Sequence, residues 1–111
     1  MNRKDLIRQY KETPRPMGVY RVRNKVTGKT LIGTSVNVPA ILNRHLSGLR
    51  LGGHENRELQ KDWNEFGSDA FEFETLDLLK PSTEPGYNPS RDLRELEQLW
   101  IEKLSPIDLY R

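Results

Sequence analysis

The chain reads as an α+β domain (α/β in the broad sense): a small antiparallel sheet covered by helices in the order β-β-α-α-β-α. Three observations predict this. Two Val/Tyr/Ile-rich runs, Met17–Arg23 and Lys29–Ile32, flank Asn24-Lys25-Val26-Thr27-Gly28, a spacing that makes a hairpin with a glycine-ended turn. Phe71-Glu72-Phe73-Glu74-Thr75 alternates apolar and charged residues, the period of a half-buried strand. Three further stretches repeat their apolar residues at helical spacing.

Taken in order, residues 4–11 suit a short helical turn, with Leu6 and Tyr10 one turn apart. Thr13-Pro14-Arg15-Pro16 breaks it, because proline lacks a donor and restrains its predecessor. Past the hairpin, Asn37 is a natural N-cap, and Val38-Pro39 occupies a first turn where a missing N–H costs nothing. Val38, Ile41, Leu42, His45, Leu46 and Leu49 form one apolar stripe. Gly52-Gly53 ends that helix. A second helix is expected from about Glu55 to Phe66, burying Leu59, Trp63 and Phe66 and stopping at Gly67. The third strand runs on from Thr75 through Leu79, and the proline-rich stretch 81–89 is a loop. The last helix spans about Ser90 to Leu104 and stops before Pro106.

With 111 residues, the chain has room for one domain, read as a polar N-terminal extension over 1–16 and a single domain over 17–111. Hydrophobic content is 34% against 31% charged, so the core is thin. There is no cysteine, which excludes a disulfide scaffold, a thiolate metal site and a cysteine nucleophile. The first residues are polar without an apolar stretch, so no secretory signal is expected. No apolar run approaches the ~20 residues of a membrane helix. Together these point to a cytoplasmic protein without membrane contact.

The net charge of +2 conceals a split. Residues 1–61 hold 13 Lys and Arg against 4 Asp and Glu, whereas residues 62–111 hold 5 against 12. One reading is a basic face offered to a polyanion. The other is that the two halves interleave and neutralise each other. On the basic-face reading Arg21, Arg23, Lys29 and Arg50 meet nucleic acid. His54 and Asn56 join them at the start of the second helix, where free N–H groups favour an anion.

Glu97 is the sharpest signal from pattern alone. Leu93, Leu96, Trp100, Ile101 and Leu104 share one face of the last helix, and Glu97 falls near the middle of it. A carboxylate against a core face must be paired, protonated or bound to a cation. It is therefore either an arginine's partner or a metal ligand. Tyr20 is by default a packing residue of its strand, but its hydroxyl could also orient or deprotonate a water. His45, on the apolar stripe, is either a hydrogen-bonded core histidine or a group that meets a phosphate or moves a proton. Arg44 and Arg50 flank that stripe. Gly18 and Gly33, at the expected strand ends, suggest close backbone approach or a tight exit.

Gly18-Val19-Tyr20 and Leu31-Ile32-Gly33 stand where the GIY-YIG endonuclease family carries its two tripeptides. The match continues through Thr34-Ser35-Val36-Asn37, His45-Leu46, Leu49, His54, Asn56, Leu59-Gln60, Trp63-Asn64, Gly67, Phe71-Glu72-Phe73 and Glu95 to Ile101. Over Met17 to Leu104 the chain resembles a divergent member of that family. The resemblance implies a three-stranded antiparallel sheet flanked by helices and metal-dependent hydrolysis of DNA phosphodiester bonds. It also implies one divalent ion, Mg²⁺ or Mn²⁺, on Glu97, a water-activating Tyr20, and an arginine on the first helix that stabilises the charged transition state, a part that Arg44 with His45 would take at the scissile phosphate. Two departures stand out. Leu31 replaces the second tyrosine, and Ile41 occupies the usual arginine position, with Arg44 one turn later. Two readings follow: a metal-dependent endonuclease weakened by those losses, or an inactive nucleic-acid-binding or protein-interaction module on the same fold. In either case a protein partner could supply targeting.

Overall fold

The computed structural model describes residues 16–80 and 84–110. The helical turn expected over 4–11, and the extension of which it is part, lie outside the described residues. Three strands, β1 (Gly18–Asn24), β2 (Thr30–Ser35) and β3 (Phe71–Leu78), form one antiparallel sheet in the order β2-β1-β3. Helices α1 (Val38–Leu51) and α2 (Arg57–Phe66) lie between β2 and β3 in sequence, and α3 (Ser90–Leu104) follows β3. This is the expected α+β, three-stranded architecture and order.

The hairpin turn is organised by Asn24, whose buried side-chain oxygen accepts from the Val26 and Thr27 N–H groups. Gly28 follows at φ 81°, a left-handed conformation that glycine tolerates without a Cβ penalty. β2 continues three residues beyond the expected Ile32. Gly33 is consequently an interior strand residue paired with Tyr20, not a strand exit. β1 is hydrogen-bonded on both sides, and alternation puts Tyr20, Val22 and Asn24 on one face and Val19, Arg21 and Arg23 on the other.

The main core cluster joins Val22 and Phe71 of the sheet to Leu49 of α1 and to Leu59 and Trp63 of α2. Asn37 caps α1 through a bond from the Ala40 N–H at 3.3 Å, and Gly52 ends it at φ 80°. The second helix starts two residues later than Glu55, because the Asn56 side chain accepts from the Leu59 N–H (3.0 Å) and is itself the cap. Phe66 does not join the core and is 37% exposed. The helix ends on it, Gly67 turns the chain away at φ 86°, and Ala70 of the following short turn completes the cluster instead.

Near the C-terminus, Leu109 bridges Thr30 in parallel, and buried Tyr110 donates to Asp62 (2.7 Å) and accepts from Asn24 (3.2 Å). Among the described residues no helix is long and apolar enough to cross a membrane.

Candidate active site

Tyr20 stands at the centre of the sheet and is 6% exposed. Its cross-strand neighbour is Gly33, and a Cβ built on Gly33 would lie 2.5 Å from the Tyr20 hydroxyl oxygen. Glycine is thus required for the phenol to lie across β2. Gly18 shows the same logic, since its Cβ would collide with the Asp77 carbonyl.

The hydroxyl so placed meets α1. Tyr20 Oη lies 2.9 Å from His45 Nε2, and His45 Nδ1 lies 2.7 Å from His54 Nε2. His54 Nδ1 in turn accepts from the Asn56 backbone N–H at 2.9 Å. A backbone N–H can only donate, so this last bond sets every tautomer in the neutral chain. His54 carries its proton on Nε2 and donates to His45 Nδ1. His45 then carries its own on Nε2 and donates to the Tyr20 oxygen. The Tyr20 O–H is left free to point elsewhere.

Burial pulls both imidazoles below their ordinary range. For His45 the neighbouring His54 and Arg44 add to the fall while Glu55 opposes it, and for His54 Glu55 also opposes it. Burial pushes the Tyr20 phenol upward, as do the negative charges of Glu97 and, less strongly, Glu55.

Glu97 is half-buried on α3 and makes no hydrogen bond or ion pair among the described residues. Loss of solvent raises its carboxyl above the usual range. The alternative of an arginine partner is not realised there. An unpartnered, desolvated carboxylate whose charge reaches a buried phenol fits a single hard cation that keeps most of its waters. Among the described residues no group of three His, Asp or Glu side chains forms a closed metal site, so a cage made wholly of protein ligands does not fit.

The site faces two adjoining cavities. Tyr20, Leu31, His45, His54, Glu55 and Arg57 line the first. Ile41, Arg44, His45 and Glu55 line the second. Of the residues singled out from sequence, Tyr20, His45, His54 and Asn56 are therefore brought together, with Arg44 alongside. Asn56 contributes its backbone N–H to the chain, while its side chain is spent on the helix cap. Arg50 is exposed in the last turn of α1. Arg21, Arg23 and Lys29 are not brought to these cavities. Arg21 binds Glu74 through Nη2 at 2.5 Å, Arg23 reaches Glu72 at 3.4 Å, and Lys29 pairs with Glu58. Cations of the basic half and carboxylates of β3 thus neutralise each other across the sheet.

Three participants escaped the sequence reading. Glu55 and Arg57 flank the Asn56 cap, and starting the helix at Glu55 hid their positions. Gln60, 8% exposed, accepts from the His54 N–H at 3.0 Å and donates to the Leu49 carbonyl at 3.1 Å. It fixes the His54 loop to the end of α1. A polar residue beside the core position Leu59 was the available signal.

No protein-family model and no curated protein matches the chain. Solved structures do. The catalytic domain of the homing endonuclease I-TevI is 27% identical, with a TM-score of 0.64 over 85% of this chain and 95% of that one. A glutamate-to-alanine variant of the same intron endonuclease domain is 25% identical, with a TM-score of 0.66 over 86% and 92%. The chain therefore has the fold of a GIY-YIG endonuclease catalytic domain.

Proposed function

We propose that this protein is a divalent-metal-dependent endonuclease that hydrolyses DNA phosphodiester bonds. The observation that carries the proposal is the one-way hydrogen-bond chain from the Asn56 N–H through His54 and His45 to the Tyr20 hydroxyl, with the unpartnered Glu97 carboxylate acting on the same phenol. Likeness to a homing endonuclease domain supports DNA as the substrate.

In this reading the Tyr20 O–H first gives its proton to solvent, and Oη, as phenolate, then orients the attacking water and takes its proton. The His45 Nε2–H donates to that oxygen and stabilises its negative charge. His54 holds His45 in the donating tautomer, and Gln60 holds His54. Glu97 would hold one Mg²⁺ or Mn²⁺, which when bound would supply positive charge to the phosphate and offset the part of the Tyr20 shift that comes from the Glu97 charge. Arg44 and His45 lie near the phosphate, while Leu31 provides an apolar wall.

Leu31 and Ile41 favour a second reading, a DNA-binding module without turnover, because they remove a hydroxyl and a cation from the cavities. Incubating the purified chain with supercoiled and single-stranded DNA plus Mg²⁺ or Mn²⁺ separates the two. Nicking that Glu97→Ala abolishes supports the enzyme. Equal inertness of both proteins, with both still retarding DNA, establishes the binding module.

A further inference from the structure

A phosphodiester entering the Tyr20 cavity brings negative charge to a place that already holds Glu55 and feels Glu97. Hydrolysis adds more as the pentacoordinate transition state forms. A positioned cation is the usual remedy and is worth most where water is excluded. The wall of α1 supplies none at Ile41, and Arg44 lines the second cavity, on the Ile41 side of His45. The lysine or arginine lining the Tyr20 cavity itself is Arg57.

Three features make Arg57 suited to the task. It is the first residue of α2, and its backbone is fixed from both sides by the Asn56 cap and by the Gln60 bond to His54. Its guanidinium makes no ion pair among the described residues, whereas Arg21, Arg23 and Lys29 are each neutralised. Finally, Leu31 lines the cavity with Tyr20 and Arg57, so at the Leu31 position itself the wall carries neither a ring nor a hydroxyl. A forked guanidinium can hold two phosphate oxygens at once.

We propose that Arg57 contacts the scissile phosphate, supplying from α2 the transition-state charge that the first helix lacks at Ile41. This rests on the endonuclease reading and assigns its phosphate site to the Leu31 side of the cavity.

The test is steady-state nicking of supercoiled DNA in Mg²⁺ and in Mn²⁺ by the full chain and by Arg57→Ala, Arg57→Lys and Arg44→Ala, with thermal melts of each. Arg57→Ala is expected to lower kcat by about 10²–10³-fold, with a smaller change in KM and a wild-type melt. Arg57→Lys restores part of kcat, because it returns the charge without the fork. Wild-type kcat in Arg57→Ala, a change in KM alone, or a larger kcat loss from Arg44→Ala overturns the assignment while leaving the endonuclease intact. Wild-type protein that nicks with neither metal overturns the endonuclease reading and this assignment together.

Discussion

Gly33 and Tyr20 face each other across the β1–β2 pair so closely that a Cβ on Gly33 would sit 2.5 Å from the Tyr20 hydroxyl oxygen. Gly33→Ala must therefore displace the phenol from His45. Overpacking of this kind costs about 1–3 kcal/mol, and the lost geometry should reduce nicking by roughly 10²-fold. Denaturant unfolding alongside a plasmid nicking assay checks both. A variant with wild-type activity would show that the phenol's position is not needed.

The histidine pair predicts a pH dependence of stability. Burial holds the His45 and His54 imidazoles below their ordinary 6.5. In the unfolded chain both take up protons near that value, so the unfolded state binds more protons than the folded one as pH drops below it. Stability is then complete above about pH 6.5 and is lost as pH falls through the depressed folded values. Urea midpoints should decline across that window, and His45→Leu should flatten the decline while lowering stability at neutral pH. A midpoint that rises on acidification over that range contradicts the neutral chain.

Gln60 ties two backbone groups with one side chain, the His54 N–H and the Leu49 carbonyl. Gln60→Ala leaves both without that partner, at a cost of about 1–3 kcal/mol. It should also lower kcat, because His54 loses its anchor, while Gln60→Glu retains an acceptor for the His54 N–H but loses the donor to Leu49. Stability and nicking measured on both variants separate the two bonds.

Glu55 lines both cavities with its carboxylate. Glu55→Gln should tighten DNA binding several-fold at low salt, with the difference shrinking as salt is raised. Arg21→Ala and Arg23→Ala, by contrast, should leave the salt dependence of binding almost unchanged, because Glu74 and Glu72 already neutralise those cations. Arg44→Ala and Arg57→Ala should each reduce the slope by about one phosphate contact. Fluorescence anisotropy over a salt series reads all five variants.

Much of this arrangement was legible in the chain because it follows from local rules. The hairpin, the Asn37 cap and the limits of α3 come from turn chemistry, capping and 3.6-residue periodicity. Glu97 was visible as a carboxylate on an apolar face. What could not be read depends on distant packing. β2 runs past Ile32 because Tyr20 needs Gly33 as a cross-strand neighbour, a relation between two strands that is absent from either alone. Tyr110 is buried by a parallel bridge from Leu109 to Thr30, which leaves no periodic trace. The cations of β1 looked available for nucleic acid because their carboxylate partners on β3 lie about fifty residues further along the chain. Arg57 and Glu55 were obscured by a two-residue error in one helix start, which took Glu55 and the extended Asn56 cap as helical and hid that Arg57 is the residue opening the helix.

On the proposed mechanism the Tyr20 phenol and the Glu97 carboxylate serve one reaction. Single-turnover nicking by wild type, Tyr20→Phe, Glu97→Gln and the double variant tests it directly. Groups acting as a unit give non-additive losses. Each single variant should be slower by at least about 10²-fold, and the double variant no slower than the worse single. Losses that multiply in the double variant, or a single variant that nicks at the wild-type rate, would contradict a shared site.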